Sequence, residues 1–245
     1  MIEIAVSPLF SLLQREKLGE PHTMLAGGER YFSPRFAVEA ERVIQQELKD
    51  AGLGDEQDYR RFVELVTVVQ RATVEFYGWV TGVDENYGVL VASHGRHAVS
   101  AVRAGNTVRF ERCAADQLVD VLVSRLPEVP VGHGDSFSVG HADFHSKSPA
   151  GTVMRRTAPT RPETARRLDA LLDARRRYVT KIYAAKRDDD GCRQRSKRWV
   201  TILDLVDGRW VLSVTQARGE KWIGAGPGTS QVISDGLVEL ARSVR

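Results

Sequence analysis

The chain has 245 residues, 42% of them hydrophobic and 27% charged, a balance that excludes a disordered chain, a collagen-like chain and a coiled-coil rod. No run approaches the roughly 18 apolar residues needed to span a bilayer. The opening MIEIAVSPLF has no basic segment ahead of a long apolar stretch, so no secretory leader is expected. Cys113 and Cys192 are too few for a disulfide framework and fit a reducing cytoplasm. The net charge of +3 is uneven: residues 1–150 carry 15 basic and 21 acidic side chains, and residues 151–245 carry 20 and 11.

Residues 1–32 read as a short strand or helix followed by a loop, with Pro21 and Gly27-Gly28 in it. The first clear helix is 34–51. Ser33 suits the N-cap and Pro34 the first helical position. Phe36, Ala40, Val43, Ile44, Leu48 and Ala51 share one face at helical spacing, and Gly52 supplies the stop. A second helix over 60–72 rests on Phe62, Leu65, Val66 and Val69.

Period-2 alternation over 73–80 predicts a strand, and three more follow at 87–93, 97–103 and 106–112. Their connections, His94-Gly95-Arg96 and Ala104-Gly105-Asn106, have hairpin composition. A helix at 115–126 turns Leu118, Val119, Leu122 and Leu126 inward and ends at Pro127. Residues 127–160 are rich in Pro, Gly, Ser and His and read as a long, mobile linker. A helix at 162–174 follows, then a strand at 176–185, a turn at Asp188–Gly191, strands at 197–205, 209–215 and 220–224, and a terminal helix at about 229–243.

The second half therefore repeats the order of the first. Gly95-Arg96-His97-Ala98-Val99 corresponds to Gly208-Arg209-Trp210-Val211-Leu212, and Asp116-Gln117-Leu118-Val119 to Ser230-Gln231-Val232-Ile233, at an offset of 113–114 residues. Two copies of a helix, four antiparallel strands and a helix, about 60–126 and 163–243, are expected to pack about a pseudo-two-fold axis. One unit is small for a core of its own, so 1–245 is expected to be a single α+β domain.

No catalytic constellation emerges. His133, His141 and His145 sit in the linker, and His141 and His145 have the i, i+4 spacing that binds metal when helical. The surrounding Gly, Ser and Pro predict no helix, so surface-loop histidines are expected. Gly224-Ala225-Gly226-Pro227-Gly228 lies between a strand and a helix, where glycine loops cradle phosphate. The G-x-G-x-x-G pattern fails at Thr229, which leaves a plain turn. Ser93-His94 lacks the geometry that defines a nucleophile and its base. The Arg-rich segment 155–198 holds 15 basic and six acidic residues, and it supports an alternative reading as a nucleic-acid surface. No recognition motif accompanies it.

Several segments, in order, resemble the EspG family of actinobacterial type VII (ESX) secretion. They are Ser33-Pro34-Arg35 with the helix to Ala51-Gly52-Leu53, Val74-Glu75-Phe76-Tyr77-Gly78-Trp79, and the hairpin from Gly95-Arg96-His97 to Asn106-Thr107-Val108. The helix to Leu126 with Pro127-Glu128-Val129-Pro130, and the Gly208-Arg209-Trp210 hairpin with the final helix, complete the set. The resemblance covers roughly 30–245. It implies two pseudo-symmetric α+β halves, each an antiparallel sheet of about four strands with flanking helices. It also implies a cytosolic, non-enzymatic chaperone without cofactor or metal. Such a protein binds the exposed helical tip of a PPE-like subunit in a PE–PPE heterodimer, or a WXG-type substrate, and acts as a monomer or weak homodimer without membrane insertion. Apolar side chains on central strands and the last helix would anchor such a tip: Phe76, Trp79, Trp210, Trp222, Val232 and Ile233. At most a few of these can face outward.

Overall fold

The computed structural model describes residues 1–30, 33–145, 162–188, 191–217 and 219–244. Strand β1 (Ile2–Ala5) runs directly into helix α1 (Val6–Arg15), so the N-terminal segment holds both elements rather than one. A 3-10 turn at Pro34–Phe36 leads into α2 (Ala37–Asp50). The Ser33 carbonyl, not its side chain, starts that turn by accepting the Phe36 N–H at 2.8 Å. Ala40, Ile44 and Leu48 are buried as expected, but Phe36 and Val43 are 57% and 39% exposed. Phe36 belongs to the 3-10 turn and is out of phase with the helix; Val43 lies at the margin of the apolar stripe. Gly52, at φ +81, ends the helix as expected.

Helix α3 (Glu56–Gln70) starts four residues earlier than its apolar pattern. The Asp55 carboxylate caps it, accepting the N–H groups of Gln57 and Asp58. The first meander follows: β2 (Val74–Gly82), β3 (Asn86–His94), β4 (His97–Ala104) and β5 (Thr107–Cys113), then α4 (Leu118–Ser124). Next come β6 (Phe137–Gly140), α5 (His141–His145) and α6 (Glu163–Asp173). The second half closes with β7 (Arg176–Arg187), β8 (Arg193–Arg195), β9 (Val200–Leu205), β10 (Gly208–Ala217), β11 (Glu220–Pro227) and α7 (Ser230–Arg242).

Two expectations are corrected here. Residues 127–145 are not a free linker. β6 pairs with β11, the Arg209 side chain donates to the Pro127 carbonyl at 2.5 Å, and the Arg209 N–H donates to the Pro130 carbonyl at 2.7 Å. Pro and Gly density signalled a loop, but a short edge strand forms wherever a distant partner supplies its hydrogen bonds. The remainder of that segment, 146–160, lies outside the described residues. Gly224–Pro227 is likewise not a turn but the end of β11, held by β10 on one side and, over Gly224 and Ala225, by β6 on the other.

The first half runs helix, four strands, helix (α3, β2–β5, α4), and the second runs helix, five strands, helix (α6, β7–β11, α7). The two meanders form one sheet, because β2 pairs antiparallel with β7 along its whole length. The strand order is β1-β5-β4-β3-β2-β7-β9-β10-β11-β6, with β8 paired to β7 alone. One face of the first half lies under α1, α2 and α3, where Leu9, Leu12, Phe62 and Val66 pack on Tyr77, Leu90, Val99 and Phe110. The opposite face carries α4 and α7: Leu118, Leu122, Ile233 and Leu237 cover Phe76, Val91, Ile182, Ile202 and Val211. Helix α6 returns to the first face, over the second half only, where Ala165 and Leu168 meet Leu203, Leu205, Trp210 and Ala225. Between α1–α3 and α6 no helix among the described residues packs on this face of the sheet.

Candidate partner-docking surface

The uncovered stretch is built by strand register. On it, Trp79 of β2 stands opposite Lys181 of β7, Lys181 opposite Thr201 of β9, and Thr201 opposite Leu212 of β10. The neighbouring row begins with Tyr77 opposite Tyr183. Trp199, one residue before β9 and on the parity of Thr201, continues that row. Trp79 is 43% exposed, Trp199 41% and Val214 36%. Three large apolar side chains in the open on one face of the sheet form a patch of the kind that marks an interaction site.

Ring contacts hold this patch in place. Tyr77 stacks with Tyr183 at 5.8 Å between centroids, and Tyr183 meets Trp199 at 5.8 Å. Three cations lie over these rings: Arg193 over Tyr77 at 4.8 Å, Arg195 over Tyr183 at 4.9 Å, and Lys181 over Trp199 at 5.6 Å. At the other end Trp79 lies beside Gly88 of β3. A Cβ on Gly88 would fall 2.2 Å from Met24 Cε and 3.0 Å from Trp79 Cζ3, so a glycine there lets both side chains sit against the strand.

Beneath the ring ladder is a buried polar cluster. The Met24 N–H donates to His22 Nδ1 at 3.0 Å, and His22 Nε2 lies 3.2 Å from Glu75 Oε1 and 2.8 Å from Arg193 Nη2. The His22 ring meets the Tyr77 ring edge-on at 4.9 Å. Arg193 donates its Nε–H to the same Glu75 oxygen at 2.5 Å. Burial pushes the Glu75 carboxyl up, but His22 and Arg193 outweigh it and hold it below its ordinary value. The cluster ties the segment around His22, strand β2 and strand β8 together directly under the patch.

The residues expected at the site separate clearly. Trp79 is on the open strip. Phe76 and Ile233 are 4% and 0% exposed, inside the layer under α4 and α7, and Trp210 is 7% exposed beneath α6. Trp222 and Val232 are half-buried; Trp222 projects from the opposite face of the sheet, and Val232 packs against the layer beneath α7. The sequence reading overlooked Trp199, Tyr183, Lys181 and Val214. Trp199 follows the basic run Lys197-Arg198, and counting the register outward from Ile202 would have set it on the face of Thr201.

Other candidates fare differently. His141 and His145 are helical after all, on the five-residue α5, with ring centroids 4.3 Å apart. Among the described residues no group of three or more His, Cys, Asp or Glu could hold a metal ion. A cavity of about 800 Å³ beside the β7–β8 connection is lined by both apolar and polar groups, including Leu18, Val69, His22, Gln70 and Arg187. Burial pushes the Cys113 thiol up, away from reactivity. Many arginines of 155–198 act as internal staples. Arg167 donates to the Asp135 carbonyl, Arg176 to Leu172, Arg187 to Gln70 and Arg198 to Val214. Arg155, Arg156 and Arg161 lie outside the described residues. Among the described residues no helix is long and apolar enough to cross a membrane.

Comparison with known proteins agrees with this architecture. No curated protein matches the sequence. The fold is similar to that of the type VII secretion system chaperone EspG5 of Mycobacterium tuberculosis, solved in complex with the PE25–PPE41 dimer. The TM-score is 0.66 at 17% identity, over 100% of this chain and 96% of that one. The family model for EspG matches residues 6–239, and the chain belongs to the EspG family.

Proposed function

We propose that this protein is a cytosolic, non-enzymatic chaperone of a type VII secretion system. It binds the exposed helical tip of a PE–PPE-like heterodimer and keeps that tip out of water until export. The observation that carries the reading is the open aromatic strip of Trp79, Tyr183, Trp199 and Val214 in a chain of this family. A helical tip with apolar residues is an aggregation hazard when free. Docking on the strip removes apolar area from both surfaces at about 25 cal/mol per Å². Of the six residues named from the sequence, Trp79 is the anchor, Phe76, Trp210 and Ile233 fix the strands and helix beneath, and Trp222 and Val232 lie off the strip. The two segments 60–126 and 163–243 are, on this reading, copies of one unit within a single domain, joined at β2 and β7.

The nucleic-acid alternative gains no support from the placement of the arginines, of which Arg167, Arg176, Arg187 and Arg198 are tied to backbone carbonyls and Arg193 to Glu75. Co-expression with the PE–PPE-like genes beside this one, followed by size exclusion, tests the proposal. A one-to-one-to-one complex, with the heterodimer insoluble or aggregated alone, is the expected result. A chaperone that elutes alone from every such co-expression would refute it.

A further inference from the structure

The open strip carries positive charge that no acid among the described residues neutralises. Lys181 and Arg195 are both exposed, and both lie over its rings, at 5.6 Å from Trp199 and 4.9 Å from Tyr183. Neither makes a hydrogen bond or ion pair among the described residues. Glu75, on the same face of β2 as Tyr77, is 2% exposed and already engaged by His22 and Arg193. The strip thus presents aromatic area beside two cations that no described residue neutralises.

Resting on the docking reading above, we propose that Lys181 and Arg195 select partners whose helical tip places a carboxylate next to the apolar residue covering Trp199. Desolvation drives the selection. A tip that covers Trp199 also strips water from the Lys181 ammonium, 5.6 Å from the ring centroid. A cation that loses water without gaining an anion is strongly disfavoured. A tip bearing only apolar residues is therefore rejected, and one bearing Asp or Glu beside its anchor is accepted, which is discrimination by an unpaired charge. Single-stranded nucleic acid also uses aromatics interleaved with cations. It needs a continuous run of free cations along its backbone, whereas here Arg193 is bound to Glu75 and Arg198 to the Val214 carbonyl. An acidic-apolar helix tip fits this strip better.

The test uses the full chain and the heterodimer recovered by co-expression, with affinity measured at about 50 and about 300 mM NaCl. Lys181→Met and Arg195→Met keep the apolar stems and remove the charges. Together they are expected to weaken binding about 30-fold or more at low salt and to flatten its salt dependence. Lys181→Glu with Arg195→Glu is expected to weaken it about 100-fold or more, and changing the tip carboxylate to Lys should restore much of that loss. Circular dichroism confirms that each variant is folded. If the Glu variant binds like the parent while Trp199→Ala does not, the docking surface stands and the charge selection is wrong. If neither change alters binding, the docking reading itself is wrong. If the Glu variant loses only affinity for an oligothymidylate of about 20 nucleotides, the strip reads nucleic acid and the proposal is overturned.

Discussion

Replacing Trp199 by Ala separates docking from stability more sharply than any other single change. A Trp side chain presents up to about 250 Å², so the 41% of Trp199 that is exposed offers about 100 Å² to a partner. At about 25 cal/mol per Å² that area contributes about 2.5 kcal/mol, or about 60-fold in Kd. The buried remainder, about 150 Å² against Tyr183 and Lys181, bounds the loss of stability at about 4 kcal/mol. Trp210→Ala is the matched control. Trp210 is 7% exposed beneath α6, and its removal is expected to cost about 3–5 kcal/mol of stability with no loss of affinity per folded molecule. Isothermal titration of the co-expressed heterodimer into each variant, well below its unfolding midpoint, reads both. Equal affinity losses in the two variants, or none in Trp199→Ala, would refute the assignment of the strip.

Four further outcomes are expected. Gly88→Ala places a Cβ against Met24 and Trp79, so it should tilt Trp79 and weaken partner binding more than it lowers the melting temperature. Breaking the buried pair of Asp204 and Arg209, whose Nε–Oδ1 and Nη2–Oδ2 distances are 2.5 and 3.0 Å, by Asp204→Ala should destabilise the fold by about 3–5 kcal/mol in urea titration. Glu75 titrates below its ordinary value when folded. Its contribution is therefore complete above the unfolded carboxyl pKa of about 4.3 and is lost as pH falls through the lower folded value. Glu75→Gln should flatten stability against pH in that acid range, and an unchanged acid slope would contradict the cluster. Finally, limited proteolysis should spare 127–145, because β6 and the carbonyls of Pro127 and Pro130 are docked; early cleavage there would show that they are not.

Much of this fold is legible in the sequence where the signal is local. The meander β2–β5 follows from alternation and from Gly-centred hairpins, and α3 from Phe62, Leu65, Val66 and Val69 at helical spacing. What depends on distant partners is not. β6 is a strand because β11 lies beside it, and Gly224–Pro227 extends β11 because β10 does, neither of which a window of neighbouring residues contains. The docking strip is illegible for the same reason. Trp79, Tyr183 and Trp199 come together through the β2–β7 and β7–β9 registers, and their exposure depends on where α3 ends and α6 begins to cover the sheet. Composition marks Trp210 and Trp79 as equally good anchors; only the helices above decide that one is core and the other surface.

Photo-cross-linking tests the central claim most directly. A benzoylphenylalanine introduced at position 199 sits on the open strip, and one at position 222 projects from the opposite face of the sheet. Irradiation of the complex should give a covalent adduct from 199 to the helical tip of the heterodimer and none from 222. An adduct from 222 with none from 199 would place the partner on the other face and contradict the account.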